Sequence, residues 1–328
     1  MKRPIRFARA GLPALWVTLA TTACGPAENT ASTRARILEG DPAPDASAIV
    51  AVVNFAGGQC SGSLIAPRLV LTARHCVADT AGKEVQVFCG ITKFQAPDSA
   101  GAIFVVPLPE ISEDPHDYLA VSEIRTPEGL SDELCGTDVV LLRLKAPILG
   151  VPPLAPRLDA PVQSDEAYSA IGYGVDESLP DKPSGVRKRG EGYRVSCHGD
   201  ACQDSDVQAN EWVGNGGPCS GDSGGPALDA AGKVVGVVSR GKPGCTEPVF
   251  SDVTSRAAWL SAELAAVTEA EPEPEPEPPG HDEAPAESCA FSRAARFDRA
   301  AWLPVVAVAV GFLRRRRNVL RVRRGSRL

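Results

Sequence analysis

Short runs of β-branched and aliphatic residues, separated by turn residues, make up most of the chain between residues 37 and 267. Examples are residues 49–55, 84–88, 139–144 and 234–239. Runs of this length between Gly, Pro, Asn and Asp are typical of strands in an antiparallel sandwich or barrel. Convincing helical spacing of apolar residues occurs only in residues 255–267. The pattern therefore predicts an all-β domain that ends in one helix.

The N-terminal end has a different character. Residues 1–24 combine basic residues, a mostly apolar stretch and small residues, which is the arrangement of a secretory signal peptide. A disordered or helical N-terminus of a cytosolic protein is the alternative. Residues 25–36 are small and polar and indicate a short propeptide. Cys24 directly follows the small residues, so it is also a candidate for the lipidated cysteine of a bacterial lipoprotein.

The C-terminal end begins with a linker at residues 268–288 that is rich in Glu and Pro. It cannot bury apolar area and its carboxylates repel one another, so we expect an extended, solvated spacer. Residues 289–328 hold Cys289, an apolar stretch and then four consecutive arginines. The apolar stretch is shorter than the roughly 20 residues that a membrane-spanning helix needs. A sorting signal that is later removed and a C-terminal membrane anchor are the two interpretations.

Composition narrows the class of protein. Hydrophobic residues make up 43% of the chain and charged residues 23%, which is a globular balance. The net charge of −7 argues against a nucleic-acid-binding protein, which would present a basic face. Ten cysteines in an exported chain predict disulfides rather than a zinc site.

Three residues suggest nucleophilic chemistry: His75, Asp138 and Ser223, the last within Gly-Asp-Ser-Gly-Gly-Pro. A serine hydroxyl is a weak nucleophile and needs an imidazole to take its proton. The imidazole in turn needs a carboxylate that fixes its tautomer. An oxyanion that forms during acyl transfer needs two converging backbone N–H groups, and Gly221 and Ser223 are candidates to supply them.

These motifs resemble those of the chymotrypsin/trypsin family of serine proteases. They are Thr-Ala-Arg-His-Cys at 72–76, Asp-Val-Val-Leu-Leu at 138–142 and Gly-Asp-Ser-Gly-Gly-Pro at 221–226, in the family's order of His, Asp and Ser. The resemblance covers residues 37–267. It implies two six-stranded antiparallel β-barrels with the site between them, and hydrolysis of polypeptide substrates through an acyl-enzyme without cofactor or metal.

The same resemblance extends to an activation junction. Arg-Ile-Leu-Glu-Gly at 36–40 is similar to the site at which family precursors are cut by an activating protease. The resemblance implies that cleavage after Arg36 frees the amine of Ile37, which then pairs with Asp222. An ordinary loop is the alternative.

Positions at which this chain differs from the family pattern indicate its substrate preference. Family members that cut after Lys or Arg carry an aspartate six residues before the nucleophile, where this chain has Gly217. We therefore expect a neutral, small or apolar side chain at the cleavage site. The pocket wall would be Ser239, Arg240 and Gly241, with Arg240 in place of a usual Trp, where it could narrow the subsites or attract acidic residues. Arg74 replaces a usual Ala and needs solvent or an acidic partner.

Eight cysteines fall within the region of resemblance. The resemblance implies the bridges Cys60–Cys76 and Cys219–Cys245. For the other four we propose Cys89–Cys135 and Cys197–Cys202 by elimination and proximity, although spacing alone does not prove connectivity.

The tail resembles the Myxo-CTERM type of bacterial sorting signal. This implies processing near Cys289 by a sorting protease and display at the bacterial cell surface or secretion, with membrane contact through the tail only. Two other functions compete with a peptidase. A catalytically silent binding module would usually have lost one of the three residues. An esterase of the α/β type prefers Gly-x-Ser-x-Gly and has Ser before His.

Overall fold

The computed structural model describes residues 37, 40–55, 57–80, 87–174, 185–203 and 206–270. The expected signal peptide, propeptide and sorting signal lie outside the described residues, as does the linker beyond residue 270. The same holds for Cys24, Arg36 and Cys289.

The first barrel is a closed sheet of six antiparallel strands. A two-residue strand, β1 (Asp41–Pro42), precedes it. The barrel strands are β2 (Ile49–Asn54), β3 (Gln59–Ala66), β4 (Leu69–Thr72), β5 (Ile103–Val106), β6 (Leu119–Arg125) and β7 (Val140–Leu144). Their order around the barrel is β2, β3, β4, β7, β6 and β5. Since β4 pairs directly with β7, the end of one strand lies beside the start of the other, with Thr72 opposite Val140.

The second barrel also closes with six antiparallel strands. They are β8 (Ala167–Gly172), β9 (Lys188–His198), β10 (Glu211–Gly214), β11 (Pro226–Leu228), β12 (Val234–Lys242) and β13 (Thr246–Asp252). Their order is β9, β10, β13, β12, β11 and β8, and a β8–β9 pairing closes the ring. Strand β1 joins this sheet at its pairing with β9. The expected fold class, two six-stranded antiparallel barrels, is confirmed.

The two cores differ in composition. The first barrel is filled by aliphatic residues such as Val50, Leu64 and Leu141, and two of its strands, β2 and β4, are almost continuous apolar runs. The second core is built on aromatic rings: Trp212 and Phe250 stack with centroids 4.0 Å apart, and Tyr168 meets both edge-on. Such edge-on and stacked pairs stabilise a core beyond the area they bury.

The C-terminal helix, α1 (Ala257–Ala270), follows a 3₁₀ turn at Thr254–Arg256. It begins two residues later than the sequence pattern indicates and continues three residues further. One predicted strand is wrong where it can be tested: Val87 and Phe88, from the run 84–88, lie outside any strand, and residues 84–86 are not described. Among the described residues, no helix has the length and apolar character to cross a membrane.

Arg187 joins the barrels. Its side chain is 1% exposed. The guanidinium donates to the carbonyl oxygens of Ala43 (2.9 Å), Pro44 (2.9 Å) and Ile49 (2.7 Å), and to the Tyr173 hydroxyl (3.1 Å). In the described part of the chain no carboxylate forms an ion pair with it. The buried cation is therefore satisfied by hydrogen bonds to carbonyl groups, which fixes the N-terminal segment against both barrels.

Candidate active site

His75 and Asp138 meet at one edge of the first barrel. His75 lies in a 3₁₀ turn, Arg74–Cys76, just after β4, and Asp138 lies just before β7. Because β4 and β7 are neighbours, the residues beyond their paired ends come together. His75 Nδ1 is 2.7 Å from Asp138 Oδ2, and the His75 backbone N–H donates to Asp138 Oδ1 at 2.9 Å. Both carboxylate oxygens are therefore occupied by the same residue.

The second barrel supplies two more hydrogen bonds to Asp138. Ser239 Oγ, on β12, donates to Asp138 Oδ2 at 2.6 Å. Ser251 Oγ, on β13, donates to the Asp138 carbonyl oxygen at 2.9 Å. Asp138 is completely buried, whereas the His75 side chain remains 23% exposed. The Asp138 carboxylate is thus shielded from solvent, whereas the His75 imidazole is still accessible to it.

The electrostatics of this pair keep Asp138 ionised and increase the affinity of His75 for a proton. Burial raises the pKa of Asp138, but the charge and hydrogen bonds of His75, with the Ser239 hydroxyl, outweigh burial and bring the pKa below its ordinary value. Burial lowers the pKa of His75, but the Asp138 charge and hydrogen bond outweigh that and raise it, with Arg240 opposing. A buried anion against Nδ1–H leaves Nε2 free to accept a proton.

Ser223 lies in a turn that precedes β11 and is bound to the first barrel. The Ser61 backbone N–H, on β3, donates to the Ser223 carbonyl oxygen at 2.7 Å, and Ser61 Oγ donates to the Gly221 carbonyl oxygen at 3.0 Å. The Ser223 carbonyl oxygen is 3.7 Å from Sγ of Cys76, the residue after His75. The loop that carries Ser223 is thereby fixed beside the turn that carries His75.

Among the hydrogen bonds of the described residues, none joins Ser223 Oγ to His75. Such bonds often become short only in the complex with substrate, so the geometry does not remove Ser223 as a candidate. Within the described region, the amides of Gly221 and Ser223 also donate to no protein acceptor. Two free N–H groups therefore remain next to the Ser223 side chain.

Gly224 shows why this loop needs glycine. Its φ is +78°, a conformation that L side chains rarely adopt. A Cβ at Gly224 would overlap Thr72 Oγ1 and the carbonyl oxygen of Ser61. Its N–H donates to the Val238 carbonyl oxygen at 2.8 Å, which ties the loop to β12. The close approach of the two barrels here depends on the missing side chain.

Asp222 turns away from Ser223 into the protein. Its carboxylate is fully buried and accepts from the Gly174 N–H at 2.8 Å and the Cys219 N–H at 2.9 Å. Burial, only partly offset by these two amides and by the charge of Lys188, raises its pKa to about 6. Ile37 is 1% exposed in the second core, and its N–H donates to the Gly217 carbonyl oxygen at 3.1 Å.

The expected specificity pocket consists of Gly217, six residues before Ser223, and of Ser239, Arg240 and Gly241 on β12. Gly217, with φ +114°, packs on the ring of Tyr193, 3.0 Å from where its Cβ would be. Gly241 lies beside Pro248 of β13. The hydroxyl of Ser239 is directed at Asp138, and the guanidinium of Arg240 is paired with Glu211. The charge of Arg240 is thus already neutralised.

Arg74 forms no ion pair with the described acidic residues, and its side chain is partly exposed to solvent, which is one of the two environments expected from the sequence. Nη1 donates to the Ser131 carbonyl oxygen at 2.8 Å, and the guanidinium carbon lies 4.4 Å from the centroid of the Phe94 ring. A carbonyl group and an aromatic face, rather than an ion pair, accommodate the long cation.

Four disulfides join the eight described cysteines in the pairs expected from the sequence: Cys60–Cys76, Cys89–Cys135, Cys197–Cys202 and Cys219–Cys245. Cys60, Cys76 and His75 also bring potential metal-ligand atoms within 4.8 Å of one another. The two sulfur atoms are bonded to each other and are not thiolates, which are the form that binds metals. This group therefore does not make a metal site while the disulfide is intact.

Comparison with known families identifies the family of this chain. The trypsin family model matches residues 37–260, which is more than half of the chain. The chain belongs to the trypsin family of serine proteases.

Several curated proteins are similar to it. Human kallikrein-2 is 28% identical over 240 residues, which covers 66% of this chain and 84% of the relative. A trypsin of Saccharopolyspora erythraea is 28% identical over 214 residues, covering 63% and 86%. The thrombin-like enzyme acutin of Deinagkistrodon acutus is 24% identical over 234 residues, covering 68% and 92%.

Sequence reasoning did not identify several residues that hold this site. Ser61, Ser251 and Glu211 were not candidates, and Ser239 was expected only as part of a pocket wall. One feature of the sequence could have indicated the role of Glu211: it is the first residue of Glu-Trp-Val-Gly, an otherwise uncharged strand, and the structure shows it completely buried. A buried acid requires a partner, and Arg240 is an equally unusual cation in an apolar strand.

Proposed function

We propose that this protein is a serine endopeptidase in which Ser223 is the nucleophile, His75 the general base and Asp138 the group that orients the imidazole. The observation that carries the proposal is the buried Asp138 carboxylate, 2.7 Å from His75 Nδ1, next to the loop of Ser223. In this mechanism Ser223 Oγ attacks the scissile carbonyl carbon while its proton moves to His75 Nε2.

The later steps use the same groups. The amides of Gly221 and Ser223 bind the oxyanion, His75 returns the proton to the leaving amine, and water then hydrolyses the acyl-enzyme by the same route in reverse. No step requires a cofactor. The imidazolium that forms is stabilised by Asp138, which remains ionised.

A serine-directed fluorophosphonate tests the nucleophile. We expect labelling of the protein cleaved after Arg36, no labelling of Ser223→Ala, and hydrolysis of casein by the labelled species. Absence of labelling in the cleaved protein would favour a silent binding module on the same fold. Labelling without casein hydrolysis would point to a hydrolase that does not act on polypeptides.

Activation is a second part of the proposal. The chain is made as a precursor, and cleavage after Arg36 releases the Ile37 amine, which pairs with Asp222. The supporting features are the buried Ile37 side chain and a buried carboxylate with two amides but no described cation at hydrogen-bond distance. Arg36→Gln should block maturation by a trypsin-like activator, and full activity of that uncleaved variant would contradict the proposal.

The substrate preference follows from the lining near Gly217. The position six residues before Ser223 carries no side chain, and the Tyr193 ring lies beneath it. We therefore propose cleavage after neutral, small or apolar residues. Profiling with a peptide library tests this, and a strong preference for Arg or Lys would overturn it.

Secretion and display at the bacterial surface complete the proposal. They rest on the sequence of residues 1–24 and 289–328. Mass spectrometry of the mature C-terminus distinguishes the two fates of the tail: we expect processing near Cys289, and an intact arginine-rich end would mean a retained anchor.

A further inference from the structure

Glu211 and Arg240 form a buried ion pair close to Asp138. Arg240 Nη1 is 2.6 Å from Glu211 Oε1 and Nη2 is 2.7 Å from Oε2, so the pair is bidentate. The Glu211 side chain is completely buried and that of Arg240 is 11% exposed. Strands β10 and β12 bring them together because both pair with β13.

Glu211 also holds the chain just before Asp138. Its Oε1 accepts from the backbone N–H of Gly136 at 2.8 Å. The Gly136 carbonyl oxygen accepts from Asn210 Nδ2 and from Arg256 Nη2, each at 2.5 Å. Gly136 has φ +76°, and a Cβ there would come within 2.6 Å of Asn210 Oδ1. Side chains of the second half of the chain therefore hold Gly136 in the turn that leads into Asp138, and the Cys89–Cys135 disulfide anchors the preceding residue.

Arg240 holds the other side of Asp138. It directly follows Ser239, whose hydroxyl donates to Asp138 Oδ2. Its Nη2 also donates to the Asp206 carbonyl oxygen, so the guanidinium is fixed at both ends. A displacement of Arg240 would displace the backbone of Ser239 and lengthen its hydrogen bond to Asp138.

We propose that the Glu211–Arg240 pair positions Asp138, holding Gly136 through Glu211 and Ser239 through Arg240. The proposal rests on the proposed function, in which Asp138 orients His75. Neither residue touches the reacting atoms, so both are positioning residues. A buried ion pair is weak evidence for stability, since apolar replacements are often as stable, whereas breaking one partner leaves an uncompensated charge. The pair also makes Arg240 unavailable to an acidic substrate side chain.

Kinetics of Glu211→Gln and Arg240→Met test the proposal, with rates normalised to active sites titrated by fluorophosphonate. Misplacement of a catalytic group by about 1 Å can reduce the rate about 100-fold, so we expect kcat to fall 10- to 100-fold with KM changed less than about threefold. Glu166→Gln is the matched control. Glu166 also forms a bidentate pair, with Arg157, and also accepts a backbone N–H, from Gln163, but away from Asp138. We expect its kcat to stay within about twofold of the wild type.

The pH profile separates positioning from charge. The charged groups that face His75 among the described residues are Asp138 and Arg240; neighbouring Arg74 points to Ser131 and Phe94. Glu211→Gln leaves the Arg240 cation unpaired, so the pKa of His75 and the acid limb of kcat/KM should move down. Arg240→Met removes the cation, so both should move up. The double variant should return the limb towards wild type while kcat stays low.

Nuclear magnetic resonance keeps the test independent of turnover. The proton between His75 Nδ1 and Asp138 should give a low-field resonance that persists in wild type and Glu166→Gln and broadens in both pair variants. If wild type shows no turnover, the proposed function fails, and this resonance still decides the positioning role. An unchanged resonance with kcat within twofold of wild type in both pair variants would overturn the proposal, as would an equal loss in the control.

Discussion

The buried carboxylate of Asp222 gives the uncleaved chain a stability that decreases as the pH rises. The variant that tests this is Asp222→Asn, made in a background that carries Arg36→Gln and Ser223→Ala. Arg36→Gln keeps the chain uncleaved, and Ser223→Ala prevents self-digestion. In the folded protein the pKa of Asp222 is raised from 3.8 to about 6 by burial. In the unfolded chain it is that of an exposed aspartate.

The change of stability with pH is set by the protons that the folded and unfolded chains bind. Between about pH 4 and pH 6 the unfolded chain has released this proton and the folded chain still binds it, so the free energy of unfolding falls as the pH rises. The pKa difference corresponds to a loss of about 3 kcal/mol in the free energy of unfolding. This loss is absent below about pH 4 and complete above about pH 6. Asparagine removes this dependence. Its amide oxygen can still accept from the Gly174 N–H, but its NH2 group takes the place of Oδ2 and cannot accept from the Cys219 N–H, which costs about 1 kcal/mol at every pH.

The net expectation is that Asp222→Asn stabilises the uncleaved chain by about 2 kcal/mol at pH 8 and destabilises it by about 1 kcal/mol at pH 4. Urea unfolding with the disulfides intact, at both pH values, measures this. Asp159→Asn, at an exposed position, is the control and should have the same small effect at each pH. If Asp222→Asn changed stability equally at pH 4 and pH 8, the assignment of an unpaired buried acid would be refuted.

The contacts of Asp138, Arg187 and Gly224 each predict the effect of one substitution. Asp138→Asn should lower kcat by about 10⁴-fold and move the pKa of His75 down, because burial remains while the opposing charge is lost; a pH–rate profile measures both. Arg187→Met should destabilise the protein by about 3 kcal/mol or more, since buried carbonyl groups lose their donor, whereas Arg189→Met, at a partly exposed site, should cost less than about 0.5 kcal/mol; urea unfolding distinguishes them. Gly224→Ala should cost about 3 kcal/mol or more and abolish labelling of Ser223.

Each of these has a result that would contradict it. An unchanged acid limb in Asp138→Asn would mean that Asp138 does not set the pKa of His75. Equal stability of the two arginine variants would mean that Arg187 is not held by the carbonyl groups. Gly232→Ala is the control for Gly224→Ala, because Gly232 has φ +76° and open space around it. If both alanine variants lost only about 1 kcal/mol, overlap with Thr72 would not be the reason that position 224 is glycine.

The sequence predicts the strands well where β-branched runs are bounded by turn residues, because their own residues supply most of the signal. It also predicts His75, Asp138 and Ser223 as candidates, because their short motifs are local. Their proximity is a consequence of topology: β4 beside β7 brings His75 to Asp138, and that pairing is not visible in either strand alone.

The buried charges could not be predicted in the same way. Arg187 directly precedes β9 and is the first of three successive basic residues. Of these three only Arg187 is buried, and it donates to the carbonyl groups of Ala43, Pro44 and Ile49. Glu211 and Arg240 are 29 residues apart and meet through a third strand. Such partners are fixed by the closure of the barrel, so composition and periodicity cannot identify them.

The Glu211–Arg240 pair also constrains how this protein can change. Replacing Arg240 alone by an aromatic residue, to build a different wall beside the cleft, would leave a completely buried carboxylate without a counter-charge. Replacing Glu211 alone would leave a nearly buried guanidinium in the same condition. We therefore expect a substitution at position 211 to be tolerated only with a matching change at position 240. A library designed to alter cleavage preference should vary these two positions jointly and keep Gly136 fixed.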